Sequence, residues 1–429
     1  MCNVKSTILA VLLFILITGC SNRNTLMPTP NLYTIGGKPL FEELSPELQT
    51  TQLDLMYVTD RQPEKDESGN LNYGYGRSSS LAYGSVSVDL GGKLSWDELV
   101  SISTQKTETT SRPSIDVISI EELGRFPSTP YMYRVTGEHD SMELDPAVVA
   151  DRQRVSANAR AELVRRLTLT SKKEVFVFVH GINYTFDEAL EVVAEGHHFF
   201  GRDGVPIAYT WPAGSKGLFN YAYDRESGEF TIFHLKNFIK FLASIPEAEK
   251  IHFISHSRGT DVLMTALREI WFELRSSHTD PGKQYKIGNV ILIAPDLDFE
   301  VSMQRLVAEG VGAFFERMTI YSNSDDSAIG AAKILFSSIV RIGSVDRETL
   351  TEQQRETIKQ MVNLDVISYQ GSTGGSFGHS YFLSNPAVSS DVIALLRYGW
   401  APGRENGRPL EHLGGNFWRI DDTYPSDKE

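Results

Sequence analysis

The sequence predicts an α/β fold, with a mostly parallel central sheet covered by helices on both faces. From about residue 170 onward, short apolar runs alternate with stretches of helical periodicity, which is typical of strand–helix–strand crossovers. Runs such as "EVFVFV" and "VILIAP" are apolar at nearly every position, as strands buried on both faces are. With 41% hydrophobic and 22% charged residues, the 429-residue chain has the composition of a globular protein. One large domain with insertions would account for this length as well as two domains would.

The N-terminus differs in character from the rest of the chain. In "MCNVKSTILAVLLFILITGC", Lys5 precedes an apolar stretch at 8–17, which is too short to span a membrane and fits a secretory signal peptide over 1–19. The end of the stretch, Ile17-Thr18-Gly19-Cys20, resembles a bacterial lipobox. The resemblance implies cleavage before Cys20, lipid attachment to its thiol and, with Ser21 next, retention at the outer membrane facing the periplasm. A plain signal peptide cut nearby is the alternative.

Cysteine content and charge exclude several classes of protein. The two cysteines are Cys2 and Cys20, so cleavage and acylation would leave no thiol for a disulfide. A net charge of −14 disfavours nucleic-acid binding through phosphate contacts. The sequence carries no zinc-protease, zinc-finger or P-loop motif, so we predict neither a metal nor a cofactor.

The elements follow in order from residue 20. Residues 20–50 are polar with Pro and Gly, which predicts a flexible tether that holds the body away from the membrane. A domain over 51–400 then begins with strands near 53–58 and 81–90, expected to be antiparallel at one edge of the sheet. Residues 92–165 are harder to interpret and are predicted to be an insertion that ends in a helix over 146–167. A polar tail is expected over 401–429.

The regular part of the domain contains six predicted strands and five predicted helices. The strands are expected near 174–181, 206–212, 250–255, 286–296, 317–326 and 363–369, and the helices near 185–200, 231–244, 260–274, 299–309 and 390–398. Ligands of open parallel sheets bind beyond the carboxyl ends of the strands, so the residues after each strand are where chemistry is expected.

A serine follows the third of these strands. The segment Ser255-His256-Ser257-Arg258-Gly259 resembles the G-x-S-x-G nucleophile elbow of α/β-hydrolases, with serine in place of the first glycine. Such a turn presents the Ser257 hydroxyl above the sheet and requires small neighbours, because strand and helix approach closely there. The alternative is that Ser255 or Ser257 only caps the following helix.

A serine nucleophile needs a base, and the chain has ten histidines. His379, in "GSTGGSFGHSYFL" after the last predicted strand, is the one placed to arch back over Ser257, and the glycines before it permit that path. A histidine exposed on a loop is the alternative. The other histidines fall on strands, helices, the elbow itself or distant loops: His139, His180, His197, His198, His234, His252, His256, His278 and His412.

An imidazole base also needs a carboxylate to orient it, and two strand ends supply candidates. Asp325 and Asp326 follow "MTIYSNS", whereas Asp296 and Asp298 follow "VILIAP". The later strand is the usual position in α/β-hydrolases and gives the order serine, acid, histidine. We therefore predict Asp326, with Asp296 as its main rival; carboxylates that only cap helices are the alternative.

Acyl transfer also requires hydrogen-bond donors for a developing oxyanion. "VFVFVHGINYTF" ends the first core strand with His180-Gly181 and resembles the oxyanion turn of the same superfamily. The resemblance implies that the backbone N–H groups of Ile182 and Arg258 are the donors and that His180 is structural.

Together, "VFVHGINYTFDEAL", "ISHSRGTDVL", "YSNSDDSAI" and "GHSYFL" resemble a bacterial α/β-hydrolase family of unknown function that includes predicted lipoproteins and esterase-like proteins. The resemblance implies the fold and the catalytic machinery but names no substrate. Our first hypothesis is a Ser-His-Asp triad that cleaves a small-molecule or lipid ester through an acyl-enzyme, in the cell envelope. Two alternatives remain. The fold could serve as a non-catalytic binding module, or the triad could act as an acyltransferase or thioesterase.

Overall fold

The structure is a computed structural model that describes residues 25–426, apart from 43, 106–111, 137–140, 215–219, 276–280, 324–325, 327–339 and 372–378. Eleven of the described strands form one sheet, and helices cover both of its faces. The predicted fold class is confirmed.

The strands are β1 (Gln52–Lys65), β2 (Leu71–Asp89), β3 (Asp116–Arg125), β4 (Tyr133–Thr136), β5 (Ser141–Leu144), β6 (Glu174–Val179), β7 (Val205–Thr210), β8 (Lys250–His256), β9 (Ile287–Ile293), β10 (Arg317–Ser322), β11 (Leu364–Tyr369), β12 (Glu411–Gly414) and β13 (Phe417–Ile420). The helices are α1 (Asn31–Thr34), α2 (Trp96–Thr104), α3 (Pro146–Thr168), α4 (Phe186–Phe199), α5 (Asn220–Ala243), α6 (Gly259–Leu274), α7 (Pro281–Tyr285), α8 (Phe299–Met303), α9 (Glu352–Lys359), α10 (Tyr381–Ser384) and α11 (Pro386–Tyr398).

The large sheet has the order β12-β13-β11-β10-β9-β8-β6-β7-β1-β2-β3. From β11 to β1 every neighbouring pair is parallel, whereas β1, β2 and β3 pair antiparallel at one edge, as the sequence predicts. The carboxyl ends of β6, β8, β10 and β11 therefore meet at one edge of the sheet, where ligands of such sheets bind.

Each central strand supplies side chains to two cores, because successive residues of a strand point to opposite faces. In β6, Val175 and Val177 pack in the core beneath α3, α5 and α6. Phe176 and Phe178 pack in the other core, beneath α4 and α11. This division explains why the sequence of β6 is apolar at consecutive positions rather than alternating.

The tether predicted over 20–50 is wrong for its described part, since residues 25–42 pack onto the domain. Five apolar side chains between 26 and 40 are at most 7% exposed: Leu26, Met27, Leu32, Tyr33 and Leu40. The Leu32 amide donates to Ser390 Oγ of α11 at 2.9 Å, and Arg397 donates to the carbonyl of Leu40 at 2.7 Å. Burial of these side chains outweighs the disorder that the polar composition favours. The signal peptide and Cys20 lie outside the described residues.

The predicted polar tail over 401–429 is also wrong for its described part. β13 adds to the sheet parallel to β11, and Phe417 and Ile420 are buried. Arg408, just before these strands, forms a fully buried ion pair with Asp391 of α11 at 2.7 Å. The short strands of this segment complete the edge of the sheet.

The predicted insertion over 92–165 contributes to the main sheet rather than lying outside it. β3 forms the edge beside β2, β4 and β5 form a separate hairpin, and α3 packs across the sheet through Leu163 and its neighbours. The helix predicted from residue 231 begins earlier, at Asn220. Within the described parts of the chain, no helix has both the length and the apolarity needed to cross a membrane.

Candidate active site

Ser257 occupies a strained turn between β8 and α6. Its φ of 52° lies in the left-handed region, which costs a residue with a side chain about 1–3 kcal/mol unless its surroundings impose it. Here the Ser257 amide donates to the carbonyl of Ile293 at 3.0 Å, and its carbonyl accepts from the amide of Asp296 at 3.3 Å. The neighbouring strand end therefore holds the turn, and a helix-capping role alone would not require this conformation.

Small residues around the turn are explained by close approach of the backbone. A Cβ at Gly259 would overlap the carbonyl oxygen of His180, and one at Gly181 would lie 2.9 Å from the Cβ of Ser257. Ser255, which replaces the first glycine of the elbow pattern, is fully buried and directs its hydroxyl to the carbonyl of Ile291 at 3.4 Å. The departure from the pattern is therefore accommodated without opening the turn.

Asp326 and His379 are brought together at the same edge of the sheet. Asp326 Oδ2 lies 2.7 Å from His379 Nδ1, and the Asp326 side chain is completely buried. Burial of the His379 ring acts to lower its pKa, but the attraction and hydrogen bond of Asp326, with a smaller contribution from the charge of Asp296, raise the pKa above its usual value. The carboxylate thus holds the ring at Nδ1 and stabilises the imidazolium form.

The other candidate acids have different partners. Asp296 accepts a hydrogen bond from the Tyr221 hydroxyl at 3.2 Å and faces Arg341 Nη1 at 3.4 Å. Asp298 caps α8 by accepting from the amide of Val301. Asp325 lies outside the described residues. Among the described candidates, Asp326 alone is bonded to the imidazole of His379.

Ser257 and His379 do not share a hydrogen bond in the described part of the structure. The contact between their segments is made by His256, whose ring centroid lies 4.8 Å from that of His379. His256 Nε2 lies 3.1 Å from the main-chain carbonyl oxygen of His379. Contacts between a base and its nucleophile are often long in ligand-free enzymes and shorten when substrate binds.

Two backbone N–H groups beside Ser257 are available to a ligand. Those of Ile182 and Arg258 donate to no acceptor among the described residues. Arg258 directly precedes the N-terminus of α6, where the helix dipole favours negative charge. Its side chain turns away to pair with Asp261 at 2.9 Å. The position suits a developing oxyanion.

The turn that carries Ile182 is held by buried polar groups. His180 Nε2 accepts from the amide of Trp211 at 3.0 Å, its Nδ1 donates to the carbonyl of Gly181 at 2.8 Å, and burial holds its pKa well below the usual value. His180 is thus a neutral structural group. Arg61 donates to the carbonyls of Tyr184 and Ala213, both at 2.8 Å. Sequence reasoning missed Arg61, whose only signal is a charged residue within a strand, three positions after the apolar run that ends at Val58.

The described residues contain no cluster of three or more His, Cys, Asp or Glu side chains able to hold a metal ion. The groups that lie at the candidate site are the Ser257 hydroxyl, the His379 imidazole, the Asp326 carboxylate and the backbone N–H groups.

A parallel sheet with a strained serine turn after one central strand, and an Asp–His pair from later strand ends, defines the class of α/β hydrolases. The chain belongs to a family within this class. The family, described as "Alpha/beta hydrolase of unknown function (DUF900)", matches residues 155–397. The family resemblance drawn from the motifs is thus confirmed, and the match includes Ser257, Asp326 and His379. A search against curated proteins gave no match.

Proposed function

We propose that this protein is a serine hydrolase that cleaves carboxylic esters through an acyl-enzyme. In this proposal Ser257 is the nucleophile, His379 the general base and acid, and Asp326 the group that orients the imidazole. The N–H groups of Ile182 and Arg258 form the oxyanion hole.

The observation that carries the proposal is the buried Asp326 carboxylate on His379 Nδ1, beside a serine held at φ 52°. With Nδ1–H donated to the carboxylate, the neutral ring keeps its Nε2 lone pair for a proton from Ser257. The strained turn and the two available N–H groups supply the other requirements of acyl transfer.

The reaction then follows from these positions. Ser257 Oγ attacks the ester carbonyl while its proton passes to His379 Nε2, and negative charge develops on the carbonyl oxygen between the two N–H groups. His379 returns the proton to the departing alcohol, which leaves an acyl group on Ser257. A water molecule, deprotonated by His379, attacks this acyl group and releases the acid and the free serine.

We also propose that a lipid on Cys20 anchors the protein in the cell envelope. Thr25, five residues further on, already bridges to Ser114, and the amide of Leu26 donates to the carbonyl of Pro113 at 2.9 Å. Five extended residues reach at most about 18 Å. A lipid at Cys20 would therefore keep the domain close to the bilayer instead of suspending it on a long tether.

Labelling with a fluorophosphonate probe tests the enzymatic proposal, because the probe reacts with activated serines. We expect the wild-type protein to be labelled and to hydrolyse short p-nitrophenyl esters, and Ser257→Ala to do neither. Ser255→Ala is the matched control: it removes a buried hydroxyl two residues away and should retain labelling.

Absence of labelling and of hydrolysis in folded wild-type protein would contradict the proposal and favour a binding role for the fold. Equal labelling of the Ser257→Ala variant would show that another serine reacts.

A further inference from the structure

We propose that His256, the residue before the nucleophile, is a positioning residue that fixes the loop of His379 and the oxyanion turn relative to Ser257. The inference rests on the proposed function and deepens it. It assigns a role to a side chain that the triad itself does not use.

The hydrogen bonds of His256 determine one tautomer. Its Nε2 lies 3.1 Å from the carbonyl oxygen of His379, an atom that can only accept, so Nε2 carries the proton and donates. Its Nδ1 is then unprotonated and accepts from the Tyr184 hydroxyl at 3.4 Å. A single neutral ring satisfies both contacts, one on each side.

These two partners, His379 and Tyr184, lie in or next to the proposed catalytic groups. His379 carries the proposed base, and Tyr184 lies two residues after Ile182, whose N–H is a proposed oxyanion donor. The carbonyl of Tyr184 is itself held by Arg61 at 2.8 Å. His256 thus connects the main chain of His379 with the oxyanion turn through one side chain on the elbow.

A second fixed point on His379 is important because Asp326 holds only one atom of its ring. Asp326 holds the ring of His379 at Nδ1, but one hydrogen bond leaves the ring free to pivot about that contact. The bond from His256 fixes the main chain of the same residue. With no direct Ser257–His379 hydrogen bond among the described contacts, two fixed points determine how Nε2 approaches the serine. A displacement of about 1 Å at a reacting group can cost about a hundredfold in rate.

The surroundings of His256 suit a fixed role. The residue is 2% exposed, and the ring of Phe382 lies 5.0 Å away on the α10 side. Burial, together with the nearby His379, holds its pKa well below the usual value, so the ring stays neutral and keeps its hydrogen-bond pattern. A neutral, enclosed ring of this kind does not compete with His379 as a base.

Paired substitutions at position 256 test the inference. His256→Gln places an amide N–H close to the original Nε2 and should keep the bond to the carbonyl of His379. His256→Met fills a similar volume without a donor. We expect kcat of the Met variant to fall about 10- to 100-fold with KM little changed, and the Gln variant to remain within about threefold of the wild type.

The thermal midpoint of each variant separates positioning from stability. A loss of kcat in His256→Met that Gln restores, at similar Tm, supports the inference. Equal loss in both variants would mean that only ring packing matters and would overturn it, as would full activity of His256→Met. If the Met variant does not fold, His256→Asn provides the same comparison, because its shorter amide does not reach the carbonyl of His379.

The two proposals fail differently. An unreactive wild-type protein contradicts the proposed hydrolase itself. A reactive wild type with an inactive Ser257→Ala variant and a fully active His256→Met variant contradicts only the role of His256.

Discussion

Among the residues that the structure describes, two Asp–His pairs have a completely buried carboxylate, and only one of these pairs lies beside a candidate nucleophile. Asp326 bonds His379 at 2.7 Å, and Asp60, which lies in β1, bonds His234 of α5 at 2.8 Å. In both pairs the carboxylate side chain is completely buried and the contact is made by Nδ1. By the geometry of the pair alone, the two are nearly equivalent.

The two pairs differ in their surroundings, because acyl transfer also requires a nucleophile on a strained turn and N–H donors beside it. The Thr129 hydroxyl lies 3.1 Å from His234 Nε2 and 3.0 Å from the carbonyl oxygen of Ser79, to which it donates. Thr129 is not among the residues of positive φ, and His234 lies in the middle of a helix. An Asp–His pair thus becomes a candidate site through the strained turn and the available N–H groups beside it.

The largest expected contrast is between Asp326→Asn and Asp60→Asn. An amide at 326 would favour the wrong tautomer of His379, and kcat should fall by about 10⁴-fold, as in other triads. The same change at Asp60 should leave kcat unchanged. Ester hydrolysis by both purified variants measures the difference.

The control variant Asp60→Asn should lose stability although it keeps its activity. Asp60→Asn weakens a buried pair away from Ser257 and should cost about 1–3 kcal/mol of unfolding free energy, measured by urea denaturation. A large loss of kcat in this variant would show that the Asp60–His234 pair takes part in the reaction, and the distinction drawn between the pairs would be wrong.

A second contrast concerns the tight turn at Ser257, which lies beside the Asp326–His379 pair. Gly259→Ala would press a methyl group onto the carbonyl of His180 and should cost about 1–3 kcal/mol or more of stability, together with most of the activity. The matched control is Gly196→Ala in α4, where no described atom lies within 4 Å of the new Cβ. Alanine there should stabilise by about 0.5–1 kcal/mol. Thermal melts with parallel activity assays test both, and a harmless Gly259→Ala would refute the close approach.

The dependence of activity on pH tests the role of the Asp326–His379 pair. Because the pKa of His379 is raised above 6.5 and the reaction needs the neutral ring, kcat/KM should increase with pH through a midpoint above 6.5. The stability that the imidazolium gains from Asp326 is present below pH 6.5 and is lost as pH rises through that raised pKa. A pH–rate profile with a midpoint below 6.5 would contradict the proposed role of Asp326.

The smallest expected effect is that of Thr129→Val. This change removes the hydroxyl that meets His234, and we expect no change in kcat and a loss of stability of about 1 kcal/mol or less. Equilibrium unfolding and ester hydrolysis measure the two quantities. A marked fall in hydrolysis would indicate that the second pair also contributes to catalysis.

The sequence was sufficient to predict the central fold, because strands buried on both faces and amphipathic helices leave clear periodic patterns. It was not sufficient at the two ends. Leu26, Met27, Leu32, Tyr33 and Leu40 follow no strand or helix period, so their burial depends on distant partners such as Ser390 and Arg397. The strands after residue 410 are four residues each, too short for an alternating pattern to stand out.

In the candidate site, too, some residues could be predicted from the sequence and others could not. Ser257, Asp326 and His379 could be predicted as candidates because each follows a strand of a parallel sheet, and such strand ends lie at one edge. The contacts of His256 and Arg61 could not be predicted, since they depend on side-chain directions in turns and on residues far apart in the chain. Asp60 and His234 show the opposite limit, because no local pattern links two residues 174 positions apart.

The segment over 25–42 packs against residues that are far away in the sequence. Asn31 Nδ2 donates to the carbonyl of Tyr424 at 2.7 Å, across a separation of 393 residues. The contacts of this segment with Ser390, Arg397 and Tyr424 can therefore form only after those residues have been synthesised. Contacts of such long range slow folding, so docking of this segment is expected to be a late step in maturation.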